Sequence, residues 1–200
     1  MSIIRKVKAV EKVFSRLEVE TNALKEHTGM HCLPGCGRCC MKPDIEASPL
    51  EFLPLAYSWF EEGKAYEKLE ELDSNPMNIC LVFKPVYLSD RNGSCGDYEH
   101  RGLICRLFGY ATSRDKNGER RLVTCNLIKQ EQPDSYQKAV DKIADKEYLP
   151  SFINYYQQLV QIDFRLANEM LPINKAIKVA LHEVIKYYSY RPFPKKRKAS

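Results

Sequence analysis

No stretch of this chain approaches the roughly 18 consecutive apolar residues that a membrane-spanning helix needs, so no such segment is expected. The first residues, Met1-Ser-Ile-Ile-Arg-Lys-Val-Lys, are charged where a secretory leader would be apolar. The expectation is a cytoplasmic protein whose thiols stay reduced. Cysteine is too sparse for a disulfide scaffold: eight in 200 residues is 4%, against roughly 8–10% for that class. Charge imbalance is also missing, except at one end. Five of the 31 basic residues lie between Arg191 and Ser200, with no acidic one, and the remaining 26 balance 26 acidic residues. The net charge of +5 thus reports a tail and not a basic face, which argues against nucleic acid as a partner. The Lys195–Lys198 run reads as a solvated, disordered tail. Absent too are internal repeats, a G-x-x-x-x-G-K-[ST] phosphate loop, an H-E-x-x-H pair and a G-x-S-x-G elbow.

What is present is local. Residues 32–40 read Cys32-Leu-Pro-Gly-Cys36-Gly-Arg-Cys39-Cys40, so half of the cysteines fall within nine positions. The thiolate is the metal-binding form of cysteine. Four thiolates close a tetrahedral zinc site or hold an iron–sulfur cluster. Ligands drawn from one tight loop lower the entropy of gathering them. Cys36-x-x-Cys39 has that spacing, and Pro34, Gly35 and Gly37 favour a sharply turned backbone. His27 and His31 stand nearby, outside the cysteine spacing. The other four cysteines, Cys80, Cys95, Cys105 and Cys125, fall at the edges of predicted strands and turns, where ligands converge. The expected order of ligation runs from Cys36, Cys39, Cys40, Cys95 and Cys105 to Cys32 and Cys80, with Cys125 last.

The expected fold is mainly α with a small β-hairpin region, its helices packed around a cysteine-rich metal-binding loop. Residues 1–190 are expected to form a single domain, with a cysteine-cluster core at about 30–126 and helical flanks at 3–26 and 134–190. Val7, Val10, Phe14, Leu17 and Leu24 form a helical stripe. Ser48-Pro49-Leu50-Glu51 reads as a helix start with a capping box, followed by a short turn or a kink at Pro54. Trp59 reads as core. Ile79–Phe83 is β-like, Asp90–Gly93 reads as a turn, and residues 107–124 read as a hairpin around Asn117-Gly118. One apolar stripe runs from Phe152 through Tyr155, Leu159, Ile162 and Leu166 to Met170. A second, from Ile173 to Tyr188, follows Pro172, predicting an αα-hairpin.

The ordered set of Cys36-Gly-x-Cys39-Cys40, Cys80-Leu-Val-Phe83, Cys95-Gly-Asp-Tyr98-Glu-x-Arg101 and Cys105-Arg106-x-Phe108 resembles the YkgJ-type cysteine-cluster family, described as zinc- or iron-chelating domains. The resemblance covers about residues 30–110. It departs from the family at Arg101-Gly102, where Arg-Pro is usual, at Asp97, where an aliphatic residue is usual, and in a long insert between Cys80 and Cys95. It implies a bound metal ion or cluster, with zinc and an iron–sulfur cluster both open. It also implies kinship with a flagellin lysine methylase that carries a similar cluster, and so a protein-modifying enzyme as an alternative. Arg101 and Arg106 are candidates to offset the negative charge of such a centre.

Two further readings stand beside these. Cys32-x3-Cys36-x2-Cys39 has the spacing of a radical S-adenosylmethionine loop, but the βα repetition of a barrel does not follow it. A zinc-stabilised interaction module would use the helices or the tail on a protein partner.

Overall fold

The computed structural model describes residues 1–75, 78–88, 91–145 and 147–192. The Lys195–Lys198 run lies outside the described residues, as does Asp90 of the expected turn.

Helix α1 (Ile3–Thr28) forms as its stripe predicts. Val7, Val10, Phe14, Leu17 and Leu24 are all buried, and the N-terminal cap is Ser2, whose hydroxyl accepts from Arg5 N–H. A short strand β1 (Glu46–Ala47) leads into a 3-10 turn (Pro49–Phe52) that begins at Ser48. Helix α2 (Leu53–Glu61) then starts with Pro54 in its first turn, where the missing N–H has no helical partner to lose. The turn-then-helix alternative is therefore the one formed, and Trp59 is buried. Helix α3 (Ala65–Ser74) follows.

The middle of the chain is built of small pieces. Strands β2 (Phe83–Leu88) and β3 (Arg91–Cys95) pair antiparallel, with an irregularity between Pro85 and Leu88. The expected strand at 79–83 thus begins only at Phe83, because residues 79–82 turn. Positions 91–93 of the expected turn are strand. Helix α4 (Leu103–Leu107) is unforeseen and takes the first residue expected for the second hairpin. That hairpin, β4 (Ala111–Arg114) and β5 (Arg120–Val123), closes through a turn in which Asp115 accepts from Asn117 and Glu119 N–H.

Helices α5 (Asn126–Glu131), α6 (Pro133–Ala144), α7 (Phe152–Ile162) and α8 (Phe164–Asn168) lead to strand β6 (Leu171–Pro172), which pairs with β1, and to the last helix α9 (Ile173–Tyr188). The unbroken stripe expected from 152 to 170 is cut at Asp163. Its extended backbone ends α7, its carboxylate caps Leu166 N–H of α8, and it forms an ion pair with Lys6 of α1. Met170 is accordingly exposed. Nor do the two stripes form an αα-hairpin: α7 packs on α8 and α1, and α9 chiefly on α2.

The main core joins α1, α2, α7 and α9, with Leu50, Leu53, Leu159, Leu181 and Val184 fully buried. A smaller core of Leu24, Met30, Tyr110, Leu122, Ile128, Ala139 and Leu149 lies under the second hairpin. The fold is mainly α with small antiparallel β pairs. No described helix is long and apolar enough to cross a membrane.

Candidate metal centre

The loop that follows α1 is built from two consecutive turns. Cys36 N–H donates to Leu33 O at 3.2 Å, and Cys40 N–H to Gly37 O at 2.9 Å. The loop lies flat on the first hairpin, where Gly93 N–H donates to Gly35 O at 3.1 Å. Gly37 has φ +56°, and a Cβ there would come within 2.7 Å of the Phe83 ring and 2.8 Å of Gly93 O. Only glycine allows this approach, and it brings the loop beside the strand that ends at Cys95.

Side chains from elsewhere in the fold hold three of the cysteine-bearing segments, at Cys32, Cys80 and Cys105, by their main chain. Gln132, at the start of α6, accepts from His31 N–H at 2.9 Å and donates to His31 O at 2.8 Å. The Tyr110 hydroxyl accepts from Cys32 N–H at 2.9 Å. Asn174, in the first turn of α9, accepts from Leu81 N–H at 2.9 Å and donates to Ile79 O at 2.8 Å, so it brackets Cys80. Glu51 accepts from Ile104 N–H at 2.7 Å, one residue before Cys105. None of these four side chains was expected at the site. Glutamine and asparagine at helix starts look like ordinary surface residues, and the capping box accounted for Glu51 without need of a second partner.

All eight cysteines are free thiols; Cys32 and Cys39 are exposed, the other six partly buried. Cys39 is the electrostatic hub. The Cys40 thiol donates to it, overcoming burial and helped by backbone amides and Arg101, and pulls its pKa down to about 6. Donation pushes Cys40 itself up. Burial raises Cys32, Cys95 and Cys105 and lifts Cys80 to about 11. A negative charge on Cys39 adds to the rise at all four and at Cys40. Charge on Cys36 and Cys125 is felt at Cys32. Thiols from every cysteine-bearing segment therefore share one field.

Cations share it too. Arg101 lies 3.8 Å over the Tyr98 ring and favours the thiolates of Cys32, Cys39 and Cys95. Its Nε is buried and has no hydrogen-bond partner among the described residues. Burial, followed by the charge of Arg101, lowers the pKa of Lys25 and of Arg106. Arg106 faces another way: its Nε donates to Arg101 O at 3.0 Å, a second nitrogen donates to Glu99 O, and its guanidinium covers Phe14. Asp97 accepts from His100 N–H at 3.1 Å and lies 2.9 Å from its Nδ1, which fixes the turn after Cys95. The Cys95 thiol donates to Asp97 O. His31 is turned to Gly29 O, 3.0 Å from its Nδ1.

The donor set fits a thiophilic metal in chemistry: many soft sulfur ligands, a neighbouring cation, and an orphaned guanidinium N–H. It is not drawn tight. Among the described residues, no three cysteine, histidine or carboxylate side chains stand close enough together to hold one ion.

A small helical body that pins cysteine-rich loops into one electrostatic field is a thiol-cluster domain. The chain belongs to the CxxCxxCC family, described as "Putative zinc- or iron-chelating domain", which it matches over residues 31–138, more than half its length. No curated protein and no solved structure shows significant similarity to it.

Proposed function

We propose that residues 1–190 form one cytoplasmic metal-binding domain that holds zinc or an iron–sulfur cluster through cysteine thiolates, in a structural or redox role. The observation that carries this reading is the seating of the 32–40 cysteine loop on the hairpin that ends at Cys95, with Gly93 N–H on Gly35 O at 3.1 Å and Gly37 against Phe83. The family's chelating description and the eight free thiols support it.

In this reading Cys36, Cys39, Cys40, Cys95 and Cys105 are the principal ligands, Cys32 and Cys80 the next, and Cys125 the last. Ligation would draw the sulfurs together. Buried thiols release protons on ligation, so binding and local ordering are coupled. A multi-thiolate centre is anionic. It would compensate Arg101, whose Nε has no partner among the described residues, and relieve the crowding of Arg101, Lys25 and Arg106. Arg106, tied to carbonyls, acts mainly by holding the turn that carries Arg101. When bound, zinc would supply a rigid tetrahedral tie and an iron–sulfur cluster an electron site.

Anaerobic purification with elemental analysis and a visible spectrum is the test. A brown protein with iron and acid-labile sulfide identifies a cluster; a colourless one with stoichiometric zinc identifies a zinc site. Neither metal, at full thiol reduction, would overturn the reading.

A further inference from the structure

Glu51 is fully buried, and a buried carboxylate is costly unless its oxygens are satisfied. Here both are. One oxygen accepts from Ser48 N–H at 2.8 Å, Ser48 Oγ–H at 3.0 Å and Tyr156 O–H at 3.2 Å. The other accepts from Ile104 N–H at 2.7 Å, across 53 positions of sequence. The first three bonds belong to the helical body. The fourth leaves it and takes hold of the opening turn of α4, the helix that carries Cys105.

The neighbouring residue is shaped for this bond. Gly102 precedes α4, and a Cβ there would lie 2.9 Å from Glu51 Oε2 and 2.7 Å from the Phe52 ring. A side chain at 102 would force the Glu51 carboxylate or the Phe52 ring to shift. The departure from Arg-Pro at this position therefore has a steric reason in this chain.

We infer that Glu51 is the positioning residue for Cys105: it fixes the start of α4 so that the thiol one residue further on faces the metal centre. The inference rests on the proposed metal-binding role and deepens it. Backbone hydrogen bonds within α4 do not set where the helix stands. The five-residue helix is short, and Leu103 and Leu107 anchor its apolar side in the main core. The carboxylate supplies the polar tie on the N-terminal side, and two acceptor oxygens are required. Glutamine has one. Whichever side receives that oxygen, the amide NH2 faces N–H or O–H donors on the other.

The test uses the full chain, wild type and Glu51→Gln, metal-free and then loaded with zinc or with cobalt(II) as a spectroscopic reporter. Competition with a chromophoric chelator gives affinity, the thiolate-to-cobalt charge-transfer band reports thiolates bound, and alkylation followed by mass spectrometry reports which cysteines are protected. The expected result is unchanged far-ultraviolet circular dichroism, at least tenfold weaker zinc binding, a diminished charge-transfer band, and Cys105 newly open to alkylation while Cys36 and Cys39 stay protected. Tyr156→Phe, which removes one bond to the same carboxylate but leaves Ile104 held, should keep Cys105 protected. Wild-type affinity and a protected Cys105 in Glu51→Gln would overturn the inference, as would equal loss in Tyr156→Phe. If Glu51→Gln fails to fold, Gly102→Ala, which crowds the same oxygen, carries the same expectation and the same refutation. If wild-type protein binds no metal through its cysteines, the proposed function fails first and this inference falls with it.

Discussion

The helical body and the cysteine region are stabilised in different ways. In the body, α1, α2, α7 and α9 bury residues such as Leu50, Leu53, Leu181 and Val184 completely, and apolar burial closes it. In the cysteine region the ladders are short, none of the cysteines is fully buried, and the segments hang on individual polar pins: Gln132, Tyr110, Asn174 and Glu51. The first region carries its own driving force. The second is positioned by the first and, on the reading above, completed by a metal. The difference teaches that one chain can hold two stability regimes, and that they should fail separately.

Metal removal should separate them most strongly. Chelation under reducing conditions should expose residues 31–42, 78–88 and 91–101 to amide hydrogen exchange, while α1 and α9 stay protected. Zinc ligation in small domains is worth about 10–16 kcal/mol, so the loss should be large. Uniform exchange throughout would show that the regions are one cooperative unit. Next in size, Cys39→Ser and Cys105→Ser should each abolish or sharply reduce bound metal and lower the melting temperature of the loaded protein. Unchanged metal content and melting temperature in both would refute the ligand set.

Leu181→Ala attacks the other side. It should cost about 2–5 kcal/mol of stability, read by chemical denaturation, with metal stoichiometry kept; metal loss in a still-folded variant would erase the distinction. Arg101→Ala should weaken metal binding about 10- to 100-fold, as loss of an outer-sphere partner does, with little change in the metal-free protein. Unaltered affinity by chelator competition would remove Arg101 from the site. Smallest of all, deletion of residues 191–200 should leave metal content and melting temperature unchanged; any loss would make the tail part of the domain.

The body was legible in sequence where one signal sufficed. The α1 stripe and the Ser48-Pro49 start each carry a local physical cause, and the Asn117-Gly118 hairpin follows from its turn. The break at Asp163 was not legible, because the apolar period continues through it to Leu166. What interrupts the helix is a distant partner, Lys6, together with a cap for the next helix. At the site, the cysteine loop stood out by residue type and spacing, and Arg101 through the family resemblance. The pins did not: Gln132 meets His31 from 101 positions away, and Asn174 reaches Ile79 from 95. Such pairings are properties of the folded topology, and no local pattern announces them.

Those pins have an evolutionary corollary. Gln132, Asn174 and Glu51 all grip peptide groups, and Tyr110 does the same at Cys32. A grip on the peptide is indifferent to the side chain it passes. The cysteine segments are therefore free to drift in identity wherever neither sulfur nor close backbone approach is demanded, so a lineage can retune the surroundings of the centre without rebuilding the frame that presents it.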